Sequence, residues 1–135
     1  MVAITKLELR LVTGNREDAE TDGDVFLGVA GRECFVDTGA NDFERGSDRT
    51  YVFGDGATVL RPEENDPRNP WPTDTDDLRF APIYIRFEPG AGGDWNVERV
   101  DLTVSAPGNT IHFDRLVGGP NLWLGERRGK YLYLR

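Results

Sequence analysis

Apolar and charged residues alternate through "KLELRLV", residues 6–12. Leu7, Leu9 and Leu11 fall on one side of an extended chain and Lys6, Glu8 and Arg10 on the other, because successive strand side chains point to opposite faces. That is the pattern of a half-buried strand. Similar runs cover residues 25–30, 33–37, 49–53, 57–60, 82–88, 95–104, 110–113, 122–126 and 131–134. No window carries a helical stripe. Glycine and proline fall mostly between these runs, at "VAGREC", "FGDGAT", "SAPGNT" and "ERRGKY", where tight turns reverse the chain into hairpins. Many short antiparallel strands in 135 residues predict one all-β domain over 1–135, a sandwich or barrel large enough to bury its own core. Two segments break the rhythm, 13–24 and 61–82, and loops of that length in a compact domain are usually functional or mobile.

Charge narrows the range of partners. With 24 Asp and Glu against 16 Lys and Arg, the formal charge is -8, and the average field repels phosphate backbones, so nucleic acid is not expected as a partner. Cys34 is the only cysteine, which excludes an internal disulfide and a thiolate metal cluster and slightly favours a reducing compartment. The N-terminal "MVAITKLELRLVTG" lacks the basic start and unbroken apolar core of a signal peptide, and no run reaches membrane-span length. The expectation is a soluble, cytoplasmic protein without a transmembrane segment.

Three acidic loops are candidates for holding a cation. Asp22 lies in the first long segment, Asn41, Asp42 and Glu44 in "ANDFE", and Asp94 in "GAGGDW". Calcium takes six to eight oxygen ligands from carboxylates, carbonyls and water and tolerates irregular geometry, which loops at one end of a sandwich can supply. Asp42 and Glu44 are two apart, so in an extended loop they project together while Phe43 turns to the core. Solvated loops, with Glu44 or Asp48 pairing to Arg45 or Arg49, are the competing reading. No EF-hand pattern is present.

The order of these features resembles the PLAT domain, the β-sandwich module shared by lipoxygenases, bacterial alpha-toxin and polycystins. The matching stretches are "LRLVTG", "AETDGDVFLGVAG", "NDFERGSDRTYVF" and "GGDWNVERVDLTV", in family order across roughly residues 4–104. The resemblance implies two four-stranded antiparallel sheets packed face to face, with calcium-binding loops at one end. Carried over by position, it implies a backbone carbonyl from Thr21, carboxylates from Asp22, Asp42, Glu44 and Asp94, and an oxygen from Asn41. Family members often have Gly before the Thr-Asp pair and a further acid before the Asp-Trp pair, where this chain has Glu20 and Gly93. Glu20 brings a carboxylate of its own nearby. A weak calcium site is expected, with Kd on the order of 10⁻⁵ to 10⁻³ M.

In several animal lipoxygenases the module's loop tips carry aromatic side chains that enter the bilayer interface. Here "GNREDAE" and "EPGAGG" carry none, and Leu116 stands where those relatives show Trp. Phe43 and Trp95 are expected to point inward, Trp71 to fold over the core edge at the opposite end, and Trp123 to sit in the core or on an edge strand. Catalysis is not expected. The sole histidine, His112, lies between Ile111 and Phe113 on a predicted strand and so faces outward, Cys34 reads as a small packed residue, and Asp42 with Glu44 lacks an evident cleft for acid-base work. The sequence therefore reads as a non-catalytic module that binds calcium and contacts a lipid surface or a protein partner. The rival is a calcium-independent protein interaction domain whose acidic loops are only solvated.

Overall fold

A computed structural model describes residues 1–116 and 122–135 of the chain. The described strands are, in chain order, β1 (Lys6–Thr13), β2 (Asp24–Val29), β3 (Arg32–Val36), β4 (Asp48–Gly54), β5 (Tyr84–Glu88), β6 (Trp95–Ala106), β7 (Asn109–Leu116), β8 (Trp123–Leu124) and β9 (Tyr131–Tyr133), with one short helix, α1 (Asp77–Phe80), between β4 and β5. They form two sheets. One has the order β4-β1-β6-β7, and the other β3-β2-β5-β9; every pairing is antiparallel. The first sheet has a fifth strand, because β8 also pairs with β6. Its origin is the length of β6: β7 pairs with Arg99 to Ala106, and β8 takes up Trp95 and Asn96 beyond that point.

The alternation of β1 is realised as read. Leu7, Leu9 and Leu11 are buried against Val100, Leu102 and Val104 of β6 and, across the sandwich, Val25, Leu27, Ile85 and Phe87. Removing one such leucine to alanine costs about 2–5 kcal/mol, the lost transfer energy plus a cavity. Residues 57–60, read as a strand, do not form one. The chain turns at Gly54 and Gly56, both at positive φ, and Thr58 closes back on Val52, its amide donating to the Val52 carbonyl and its hydroxyl accepting from the Val52 amide. Only Val59 of that run reaches the core as a buried residue.

One end of the sandwich is closed by aromatic rings. Trp95, fully buried, has ring centroids 5.2 Å from Phe43 and 5.7 Å from Phe87, and Phe43 lies 5.9 Å from Tyr51. The Trp95 indole donates to Thr13 Oγ1 at 2.9 Å, fixing the start of β6 beside the end of β1, where the register shifts between Val12 and Thr13. Both Phe43 and Trp95 therefore point inward, as expected. At the far end, segment 61–82 folds over β3: the Asn65 side chain accepts from the Phe35 amide, and Arg32 donates to the Asp66 carbonyl while its guanidinium lies 5.5 Å from the Trp71 ring centroid. Trp71 itself is 57% exposed. The Leu116 side chain lies outside the described residues.

Candidate functional site

Three loops meet above the aromatic plug. Thr21, buried, ties them together: its amide donates to the Phe43 carbonyl, and its hydroxyl lies 3.0 Å from both the Gly92 and Gly93 carbonyls while accepting from the Gly23 amide. The Asp22 amide also donates to the Gly92 carbonyl, at 3.4 Å. Gly92 sits so close that a Cβ there would run into the Gly23 backbone nitrogen, so only glycine lets the third loop approach the first. The second loop is held equally firmly. Phe43 takes a left-handed φ of 62°, rare for a bulky residue and sustained only where the surroundings impose it.

Asp42 organises that second loop. Its carboxylate accepts from the Thr38 amide at 2.9 Å, the Thr38 hydroxyl at 2.9 Å, Arg49 Nη1 at 3.0 Å and the Tyr51 hydroxyl at 3.1 Å. Its side chain is 5% exposed, and the Tyr51 hydroxyl is held well above the usual phenol range by burial and by the Asp42 charge. Beside it, Asp22, Asp24, Asp37, Asn41 and Asp42 line a cleft of about 190 Å³. The Asp37 carboxyl is pushed up from the usual 3.8, first by burial, then by its hydrogen bond to Asp42 and the Asp42 charge, with a smaller contribution from Asp24. Such crowding of carboxylates favours a proton or a cation among them.

The residues singled out by sequence separate into groups. Thr21, Asp22, Asn41 and Asp42 border this cleft. Glu20 and Asp94 border a second opening, of about 590 Å³, with Glu17, Asp18, Trp123 and Arg128; there Arg128 Nε donates to Asp94 Oδ2 at 3.0 Å, and its guanidinium lies 5.4 Å from the Trp123 ring centroid. Glu44 is exposed and lines neither cleft. Asp24 and Asp37 were missed. Asp24 stands in the sequence reading only as the last residue of segment 13–24 and Asp37 only as a strand end, although Asp24 lies two residues after Asp22 and Asp37 closes the alternating run "RECFVD" just before the second loop.

The donor set suits calcium. Four aspartates and Asn41 border one cleft, and carboxylate and amide oxygens are the ligands calcium takes. Burial pushes the Cys34 thiol up to about 11, so it is not a thiolate ligand. Met1, Leu60, Trp71, Phe80, Tyr131 and Tyr133 are the large apolar side chains exposed among the described residues, and none belongs to the three loops. No helix among the described residues is long and apolar enough to cross a membrane.

By sequence, neither a family model nor a curated protein matches the chain. Solved structures do match its fold. The alpha toxin from Clostridium absonum aligns with a TM-score of 0.65 and 19% identity over 99% of this chain and 32% of the toxin. The Clostridium perfringens alpha-toxin from an avian strain gives 0.65 and 22% over 98% and 32%. Coral 8R-lipoxygenase, whose structure was described in terms of calcium activation via a C2-like domain, gives 0.54 and 22% over 96% of this chain and 16% of the enzyme. The chain thus spans about a third of each toxin and about a sixth of the lipoxygenase. At these identities the likeness is one of fold, and the fold is the PLAT-type β-sandwich to which the motifs pointed.

Proposed function

We propose that this sandwich is a non-catalytic calcium-binding module, loaded at the acidic end and using the bound ion to contact a lipid surface. The observation that carries the reading is the convergence of Asp22, Asp24, Asp37 and Asn41 on one cleft beside Asp42. In this reading Thr21 lends a carbonyl, Asp22, Asp24, Asp37 and Asn41 supply side-chain oxygens, and Asp42 shapes the loop and faces the ion from behind. Glu20 and Asp94 border the neighbouring opening, whereas Glu44 points to solvent and is not part of the ligand set. Calcium supplies two positive charges at a surface of net charge -8, enough to bridge to anionic headgroups without inserting a side chain. The polar loop tips support contact at the surface rather than penetration. The coral lipoxygenase's calcium activation via a C2-like domain is consistent with this use of the fold. Contact with a protein through the same loaded loops is the second reading, favoured by the lack of exposed aromatic wedges on those three loops among the described residues.

Thermal melting tests the calcium step. Calcium at a hundredfold excess over Kd should stabilise the fold by about 2.7 kcal/mol, and magnesium at equal ionic strength should do much less. Asp22→Asn and Asp24→Asn should each reduce the calcium-specific rise. Equal responses to the two ions would remove the reading in favour of solvated acidic loops. Vesicle sedimentation tests the contact: calcium should carry the protein down with anionic vesicles and not with neutral ones. A calcium-loaded protein that stays in the supernatant with both would leave the protein partner as the target.

A further inference from the structure

We propose that the outer face of the first sheet carries a second cation site, distinct from the acidic cleft, formed by Asp101, His112 and Asp114 and suited to a first-row divalent transition ion such as zinc. The register of β6 and β7 sets Asp101 directly opposite Asp114 and Thr103 directly opposite His112. Two like charges facing each other across a strand pair are unfavourable, and a divalent ion between them reverses the sign of that interaction. One ligand atom from each of the three residues lies within 4.8 Å of the others.

The Asp101 carboxylate is the unusual member. Its side chain is only 10% exposed, and its two oxygens have different surroundings. Oδ2 is engaged by charge, 2.8 Å from Arg99 Nε and 3.5 Å from Arg10 Nη1. Oδ1 is buried with no hydrogen-bond partner and lies 3.8 Å from His112 Nε2. A buried carboxylate oxygen left without a donor is rare in folded proteins, because the group has lost its water and gained nothing in return. A metal ion bound by Oδ1 and the imidazole resolves that deficit.

The histidine is already oriented for the task. Its Nδ1 lies 3.1 Å from Thr103 Oγ1, so an Nδ1–H donating to that hydroxyl leaves the Nε2 lone pair facing Asp101. In tetrahedral zinc, with bonds of about 2.0 Å, neighbouring ligand atoms are roughly 3.3 Å apart, close to the spacing of Oδ1 and Nε2 here. Asp114 and His112 are exposed, which gives the ion and its remaining water ligands a way in. An imidazole nitrogen beside two carboxylates selects zinc and its neighbours over calcium, whose preferred ligands are oxygens. The two arginines hold Oδ2 and leave Oδ1 to the metal.

The test is a zinc titration of the full chain by calorimetry in excess calcium, with the imidazole nitrogens followed by ¹⁵N NMR. The chain has a single histidine, so the signal has one source. One saturable equivalent should bind, with Nε2 shifting on metal addition and Nδ1 remaining protonated. His112→Gln and Asp114→Asn, both at exposed positions, should abolish the saturable phase without lowering the melting midpoint of the metal-free protein. Thr103→Val should weaken binding about tenfold while the ligands remain in place. Zinc uptake in Asp22→Asn should equal that of the unmodified chain, which separates this site from the acidic cleft. Retained uptake in His112→Gln, or an Nε2 resonance indifferent to zinc, would overturn the assignment.

Discussion

The two ends of the sandwich have similar residue types and opposite electrostatics. At the far end one arginine serves two carboxylates: Asp66 accepts from Arg68 Nε at 2.9 Å and from Nη2 at 3.0 Å, and Asp55 accepts from Arg68 Nη1 at 2.9 Å. The Asp66 carboxyl is accordingly held below its usual range, mainly by the Arg68 hydrogen bonds. At the acidic end Arg49 is spent on Asp42 and Arg128 on Asp94, whereas Asp37 is pushed the other way by burial and by its acidic neighbour. Asp55 and Asp66 are neutralised from within the chain. Asp37 and its acidic neighbours in the cleft leave their charge for something outside the chain, which is why the functional reading belongs there.

The largest expected effect comes from removing the internal organiser of the acidic end. Asp42→Ala leaves the Thr38 amide and the buried Tyr51 hydroxyl without their acceptor and releases Arg49, whose side chain is 40% exposed and can turn to water. The cost should be about 2–3 kcal/mol, dominated by the unpaired buried groups rather than by the ion pair. Urea denaturation in the absence of calcium measures it. A loss below about 0.5 kcal/mol, the ordinary range for a surface substitution, would mean that the loop does not depend on Asp42 and that the two ends are held alike.

At the far end Asp66→Ala should cost about 1–2 kcal/mol at neutral pH, since Arg68 is part exposed and recovers some hydration. Its pH dependence is the sharper test. A carboxyl whose folded value is depressed contributes stability that is present above the usual 3.8 and is lost as pH falls through the folded value. The difference between the unmodified chain and Asp66→Ala should therefore shrink on acidification. A difference that persists into strong acid would show that Asp66 acts through packing and not through its charge.

The sheets were legible because period two survives folding wherever one face is buried: β1, β2 and β6 lie where alternation put them. Residues 57–60 misled because Val59 and Leu60 imitate a strand, whereas the two glycines before them permit a turn whose bonds close locally on Val52. Of the residues the motifs singled out, Thr21, Asp22, Asn41 and Asp42 border the cleft, with Thr21 and Asp22 held there by bonds to the neighbouring loops. Asp24 and Asp37 needed the pairing of β2 with β3, which brings the ends of those strands side by side. The Asp101 and His112 juxtaposition was hidden for the same reason. Alternation says that His112 faces outward, but only the β6–β7 register says which carboxylate it meets.

The smallest expected effect has the opposite sign from the others. Asp37 is raised above the usual 3.8 in the folded chain, so its protonation favours folding; that contribution is complete below 3.8 and is lost as pH rises through the folded value. At neutral pH the ionised group is a liability, and Asp37→Asn should raise the melting midpoint of the calcium-free protein. The gain should be under about 0.5 kcal/mol, because the cleft is open to water and the repulsion is screened. The gain should fade as pH falls through the folded value and be gone below 3.8; it is opposite in sign to the effect at Asp66, although both differences vanish in acid. Calcium should invert the order, stabilising the unmodified chain more than Asp37→Asn, since the ion would exploit the charge that the free protein tolerates poorly. If Asp37→Asn destabilises the calcium-free fold at neutral pH, Asp37 is a structural acceptor like Asp42, and the acidic end is as self-contained as the other.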